Sequence, residues 1–172
     1  LLDLPKFIRF FQRHDLTDKI YFIASGKLGF PEKALLAFAM GADSINIARE
    51  AMMSIGCIQA QKCHTNHCPT GIATSKKWLQ AGIDVNLKSE RYYHYHYTLV
   101  KEIGEITHAC GYEHPCQMTT DDIELSMGDN NRTMTLSKAY GYHKTPIAYD
   151  NFNDLIQCPH LGGANARNRL AG

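Results

Sequence analysis

The sequence predicts an α/β fold with right-handed parallel crossovers, and three observations carry that prediction. Lys19 to Ala24 (KIYFIA) is a run of β-branched and aromatic residues ending in Ser25-Gly26-Lys27, the pattern of a buried parallel strand running into a loop. Pro31 then opens a helix whose Ala34, Leu35, Phe38 and Ala39 share a face and which Gly41 closes. The order returns at once, with Ser44 to Ala48 (SINIA) as a strand and Glu50 onward (EAMMSIG) as a helical turn. Two successive strand-helix units of this kind, about twenty-five residues each, fit a parallel sheet with crossover helices.

The remaining elements follow in order. Pro5 to His14 places Phe7, Ile8 and Phe11 in a helical rhythm, with Asp3 as a candidate cap. Residues 56–86 are rich in Gly, Thr, Pro and Cys and offer one short helix around Lys76 to Leu79. A long helix is predicted from about Leu87 to Cys110, packed along a seam of Tyr92, His96, Leu99, Ile103, Ile106 and Cys110, with Gly111 as its stop. Beyond Pro115, Thr119 or Thr120 is placed to cap a short helix over Asp121 to Met127, and Gly128, Asp129, Asn130 and Asn131 form a turn. Loops and short helices are expected from there to Gly172.

Bulk properties narrow the function classes. The 172 residues are 44% hydrophobic, enough for one globular domain with a core. Eighteen basic residues stand against seventeen acidic ones, so no charge excess points to nucleic acid or an anionic membrane surface. No apolar stretch approaches the roughly 20 residues needed to span a bilayer. Leu1 is followed by no basic and apolar leader, which predicts neither a signal peptide nor a natural start. Three of the six cysteines lie within residues 57–68, a pattern that suits metal-bound thiolates in a reducing cytoplasm better than a disulfide framework.

Two constellations carry chemistry. In Cys57-x5-Cys63-x4-Cys68-Pro69, three soft thiolates share one loop and can converge on one inorganic centre. An iron-sulfur cluster lacking one corner takes three cysteines, whereas structural zinc takes four ligands, which His64 or His67 would complete. No metal, with three free buried thiols or a disulfide plus one odd cysteine, is the third reading, and spacing alone leaves all three open. The second constellation is Ser25, Gly26 and Lys27 after one strand with Ala48 and Arg49 after the next. Loops in these positions can share a phosphate, with Lys27 and Arg49 adding charge, though an ordinary strand-to-helix turn with two solvated cations fits the same residues. The run Tyr92-Tyr93-His94-Tyr95-His96-Tyr97 reads as amphipathic packing, because His94 and His96, two apart on a helix, face different sides. Cys110, Cys116 and Cys158 read as buried thiols, and His108 and His114 as surface histidines at a helix end.

The stretch IASGK (Ile23 to Lys27), followed by GADSINIAREAMMSIGCIQAQKCHTNHCPTGIAT (Gly41 to Thr74), resembles the FMN-binding domain of the glutamate synthase large subunit and its stand-alone relatives. The resemblance covers about Asp18 to Pro115, and Lys27 with the Ala48-Arg49 pair is closer to the stand-alone relatives than to the large subunits. It implies the C-terminal part of a (β/α)8 TIM barrel, with the two strands here as the last two and six others outside this sequence. On that basis residues 1–115 hold the barrel portion and the iron-sulfur loop, and 116–172 a C-terminal extension. It further implies Cys57, Cys63 and Cys68 as ligands of a 3Fe-4S cluster, and Ser25, Gly26, Lys27, Ala48 and Arg49 as the surroundings of the FMN phosphate. The implied reaction is reductive amination of 2-oxoglutarate, through 2-iminoglutarate, to glutamate, with an amino donor and an electron-donor protein as partners. It assigns no catalytic residue to this chain, which by itself is expected to be inactive.

Overall fold

The computed structural model describes residues 4–14, 16, 20–126, 128 and 132–141. Asp3, Lys19, Met127, the turn residues Asp129 to Asn131, Cys158 and the loops expected beyond residue 141 lie outside the described residues. The element order is α1 (Leu4–Arg13), β1 (Ile23–Ser25), α2 (Pro31–Ala39), β2 (Ser44–Asn46), α3 (Arg49–Ser54), α4 (Lys77–Gln80), α5 (Val85–Ala109), β3 (Glu124–Ser126), β4 (Thr133–Thr135) and α6 (Leu136–Tyr140), with 3₁₀ turns at Cys63–Thr65 and Pro115–Gln117.

β1 and β2 pair in parallel, Ile23 opposite Ser44, Ala24 opposite Ile45 and Ser25 opposite Asn46. The strand expected over Lys19 to Ala24 is thus shorter and shifted toward its C-terminal end. Just before it, Asp43 Oδ2 accepts from the Phe22 backbone N–H at 2.6 Å, tying the entry of β1 to that of β2. Ala24, Leu28, Ala37 and Ala42 are buried together with Ile45 against them, so the crossover helix α2 seals one face of the strand pair. Burying Leu28 completely contributes about 2 kcal/mol. α2 begins at Pro31 as expected, where a missing N–H costs nothing.

α5 packs against α2 and α3. Asp84 caps its start by accepting from the Leu87 N–H at 3.1 Å, and at its end Tyr112 N–H bonds Thr107 O while Gly111 N–H bonds His108 O. The expected seam needs correction. Leu99 and Ile103 do face the core, but they are joined there by Tyr95 and Thr107, while Tyr92, His96, Ile106 and Cys110 are exposed. Two interactions set the rotation: the Tyr95 hydroxyl donates to Gly29 O at 3.0 Å, and Ile103 packs on Leu35, Ala39 and Met118. Of the Tyr92 to Tyr97 run only Tyr95 packs inward. Tyr93 and Tyr97 stack on each other in solvent, with centroids 6.0 Å apart.

The helix expected over Asp121 to Met127 is also corrected, because Glu124–Ser126 pairs antiparallel with Thr133–Thr135. Asp122 explains the change. Its Oδ2 accepts from both the N–H and the hydroxyl of Thr119, at 2.7 and 2.8 Å, closing a turn instead of starting a helix. Ahead of that turn, His114 Nδ1 accepts from Cys116 N–H at 3.2 Å, and Gln117 Oε1 accepts from the N–H groups of Glu113 and His114 at 2.7 and 2.8 Å. Burial holds the His114 pKa below its ordinary 6.5. The unfolded chain therefore takes up this proton first, and the stability contributed by His114 is present above pH 6.5 and falls as the pH drops below it. In the full-length protein His114→Ala is expected to cost about 1 kcal/mol at neutral pH, with Asn, whose Oδ1 can replace Nδ1, recovering most of it. Thermal denaturation at pH 7.5 and 5.5 checks both statements, since wild type should lose more stability than His114→Asn between the two.

Candidate functional site

Ser25, Gly26 and Lys27 leave β1, and Ala48 and Arg49 follow β2, from the same end of a parallel pair, so the strands bring the two predicted loops side by side. Gly26 has φ +123°, and a Cβ there would meet no atom within 4 Å, leaving backbone open to a close approach. Lys27 continues the turn at φ +59°. No side chain caps the first turn of α3, since Ala48 occupies the N-cap. Arg49 is held in place by Glu50: its Nη2 lies 3.2 Å from Glu50 Oε1, with the Glu50 side chain buried and that of Arg49 half-exposed. The sequence reading placed Glu50 at the start of a helical turn and gave it no part in the site. Lys27, Arg49 and the backbone N–H groups of the two loops lie at this end of the strand pair, and they are donor types that suit a phosphate.

Behind Glu50 the structure is tight. A Cβ added at Gly29 would lie 2.4 Å from Glu50 Cβ and 2.5 Å from the Tyr95 hydroxyl, so the 25–30 loop, α3 and α5 meet at a point that admits no side chain. Burial, then the Glu50 carboxylate, pushes the Tyr95 pKa up, which keeps its hydroxyl a donor to Gly29 O.

α3 delivers the cysteine loop. Its end closes with Gly56 N–H on Met53 O and Cys57 N–H on Met52 O, a terminus that requires the φ of +108° that Gly56 supplies. Of the four described non-glycine residues with positive φ, three lie in this loop: Gln59, Gln61 and Asn66. Left-handed conformations of ordinary residues cost about 1–2 kcal/mol each and persist where surrounding interactions over-determine them. Asn66 shows how: its Oδ1 accepts from Ser75 N–H at 2.7 Å and from the Thr74 hydroxyl at 2.9 Å, fastening the 63–68 segment to 74–76.

The three cysteines differ. Cys63 is exposed, Cys57 half-buried and Cys68 buried, and none is in a disulfide. Cys57 Sγ accepts from Gln59 N–H at 3.4 Å. Cys68 Sγ lies 3.3 Å from the Thr70 hydroxyl. That hydroxyl, then the Ala73 N–H, together with the amides of Thr70 and Ile72, holds the Cys68 thiol down to about 7 against the opposing effect of burial. Donors arranged around a thiolate in this way suit a metal ligand. Among the described residues, no group of three His, Cys, Asp or Glu side chains could hold a single metal ion. His67 is committed elsewhere. Its Nδ1 donates to Thr65 O at 2.7 Å and its Nε2 therefore accepts from Lys76 Nζ. His94 lies 3.7 Å from Glu90 on the exposed side of α5. Cys110, read as buried, is exposed because the helix turns its other face to the core, and Cys116 is half-buried.

Asn66 and Thr70 were missed as site residues. The available signals were an asparagine in a turn-rich loop, where it tolerates left-handed backbone, and a hydroxyl two residues after a candidate ligand. Among the described residues no helix is long and apolar enough to cross a membrane.

A family model described as the conserved region in glutamate synthase matches residues 1–113. The glutamate synthase large subunit-like protein YerD of Bacillus subtilis (strain 168) is 37% identical over 128 residues, which cover 74% of this chain and 24% of that protein. The ferredoxin-dependent glutamate synthase of Pyropia yezoensis is 30% identical over 179 residues, covering 95% of this chain and 11% of that protein. That of Cyanidium caldarium is 33% identical over 103 residues, 58% of this chain and 6% of its own length. The chain thus spans about a quarter or less of the relatives it matches.

Proposed function

Since the chain belongs to the glutamate synthase family, we propose that it forms the phosphate-gripping and cluster-holding portion of a flavin and iron-sulfur oxidoreductase that converts 2-oxoglutarate to glutamate. The observation that carries this reading is the direct succession of the two sites. Adjacent parallel strands run into Lys27 and Arg49 at the same end of the pair, and α3, which starts at Arg49, leads on to Cys57. One six-residue helix joins the phosphate grip to the cysteine loop.

In this proposal Ser25, Gly26, Lys27, Ala48 and Arg49 bind the FMN phosphate, with the buried Glu50 carboxylate orienting the Arg49 guanidinium. Cys57, Cys63 and Cys68 hold a 3Fe-4S cluster, and the hydrogen bonds to the Cys57 and Cys68 sulfurs keep those thiols poised as ligands. When bound, the flavin supplies two-electron reduction of a C=N bond and the cluster supplies single electrons from a donor protein. Residues 1–115 complete the last two units of a (β/α)8 barrel whose other strands carry the substrate, and 116–172 form an extension, in a cytoplasmic enzyme that takes 2-oxoglutarate and an amino donor. Zinc in a structural or interaction module is the competing reading. It would draw thiolates to about 3.8 Å of one another around one ion, from Zn–S bonds of about 2.3 Å, and would need a free imidazole. Engagement of both His67 nitrogens takes that residue out of a zinc set and leaves His64 as the fourth ligand zinc would need.

Anaerobic purification of the full-length protein with iron, sulfide, zinc and FMN assays tests the reading. Stoichiometric zinc without iron or sulfide would overturn it. Arg49→Glu is expected to weaken FMN binding by roughly 10- to 100-fold, because one charge-assisted contact is replaced by repulsion at the phosphate. An unchanged FMN affinity in a fluorescence titration would remove Arg49 from the site.

A further inference from the structure

We propose that the Thr70 hydroxyl sets the reduction potential of the cluster by donating a hydrogen bond to the Cys68 sulfur. The inference rests on the cluster reading above and extends it to a residue outside the ligand set.

The geometry is specific to one sulfur. Cys68 is the buried member of the three, and its Sγ lies 3.3 Å from Thr70 Oγ1. Pro69 separates the two residues, and Gly71 N–H bonds back to Cys68 O at 3.1 Å, so the chain folds over its own cysteine in a tight turn. This turn brings the amides of Thr70, Ile72 and Ala73 to the same sulfur. Gly71 admits no side chain, since a Cβ there would lie 2.3 Å from Leu79 O, and that contact clamps the turn against the end of α4. Thr70 is therefore held in place by backbone on both sides, with its hydroxyl at hydrogen-bond distance from the Cys68 sulfur.

A metal-bound thiolate has no proton to give, so Thr70 must donate. The donor withdraws electron density from sulfur and stabilises the extra negative charge of the reduced cluster, which moves the potential upward. The backbone amides act in the same direction but cannot be removed by substitution. Thr70 is a side-chain donor through which a substitution can retune the centre. The Cys57 sulfur receives a backbone donor, Gln59 N–H at 3.4 Å.

The test is a redox titration of the anaerobically purified full-length protein, followed by the EPR signal of the cluster, in wild type, Thr70→Val, Thr70→Ala and Thr70→Ser. Valine keeps the shape without the hydroxyl, alanine removes it without risk of a clash, and serine retains it. The valine and alanine variants are expected to show a three- to tenfold lower reduced-to-oxidised ratio at fixed potential. That corresponds to a midpoint about 30 to 59 mV more negative, at 59 mV per tenfold for one electron. Serine should titrate as wild type. Val and Ala variants with wild-type midpoints overturn the proposal, as does a Ser variant shifted as far as Val. Lower cluster content at an unchanged midpoint also overturns it, since Thr70 would then serve assembly only. A wild-type protein with no cluster overturns the functional reading itself, whereas a wild-type cluster with unshifted variants overturns this inference alone.

Discussion

Cys63→Ser in the full-length protein is expected to reduce iron and sulfide to background while leaving the fold intact. The two halves of that expectation have separate causes. Loss of metal follows from ligand chemistry, because a serine hydroxyl is a hard donor that does not replace a thiolate on iron, and two cysteines cannot hold three irons. Retention of the fold follows from position. Cys63 is exposed at the start of a 3₁₀ turn, and that turn is held by Thr65, whose N–H and hydroxyl both bond Lys62 O. Surface substitutions of this kind change stability by roughly 0.5 kcal/mol or less. Metal assays with circular dichroism on the same sample separate the readings. A cluster predicts loss of iron with an unchanged far-ultraviolet spectrum, while a thiol without a metal role predicts no change in either. Loss of soluble protein would make the loop's role structural and sink the expectation.

The parts of this molecule that the sequence makes legible are those governed by local chemistry. Pro31 and Gly41 bound α2 because one lacks a donor and the other tolerates left-handed backbone, and both properties are intrinsic to the residue. The loop cysteines stand out by spacing too, but spacing alone leaves cluster, zinc and no metal open. What was not legible depends on partners far along the chain. The face that α5 buries is chosen by Tyr95 reaching Gly29, sixty-six residues away, and hydropathy ranks Tyr92, Tyr93, Tyr95 and Tyr97 alike. The 121–127 segment has an acidic start and a possible cap, yet Asp122 turns back to Thr119 and its neighbours pair with 133–135, a contact that helical periodicity does not encode. In the site, Lys27 and Arg49 were visible as charges, whereas Glu50 was not, because an adjacent acidic residue reads as a solvated helix start until its burial is known.

Gly29 connects these observations, and Gly29→Ala is the substitution expected to disturb the fold most. Its cost is steric. The added methyl would sit 2.4 Å from Glu50 Cβ and 2.6 Å from Glu50 Cγ, and 2.5 Å from the Tyr95 hydroxyl. The tyrosine hydroxyl ends a long side chain and can swing away, but Glu50 Cβ is fixed to the backbone of α3 and cannot. Relief therefore requires the 25–30 loop to move away from α3, carrying Gly26 and Lys27 from Arg49. Overpacking in a buried site costs typically 1–3 kcal/mol, and a rigid neighbour places this case at about 3 kcal/mol or above. Tyr95→Phe alone removes one hydrogen bond and should cost about 1 kcal/mol. The double variant separates the two contacts. If the hydroxyl is the obstacle, Gly29→Ala/Tyr95→Phe recovers most of the loss, whereas the Glu50 contact predicts that the double variant remains at least as unstable as Gly29→Ala. Thermal denaturation of the full-length apoprotein reads the stability, with a drop of several degrees expected, and FMN titration reads the loop. A Gly29→Ala protein with wild-type stability and flavin affinity would mean that the loop, α3 and α5 are not locked at this point. The 25–30 loop would then owe its geometry to the strand pair alone.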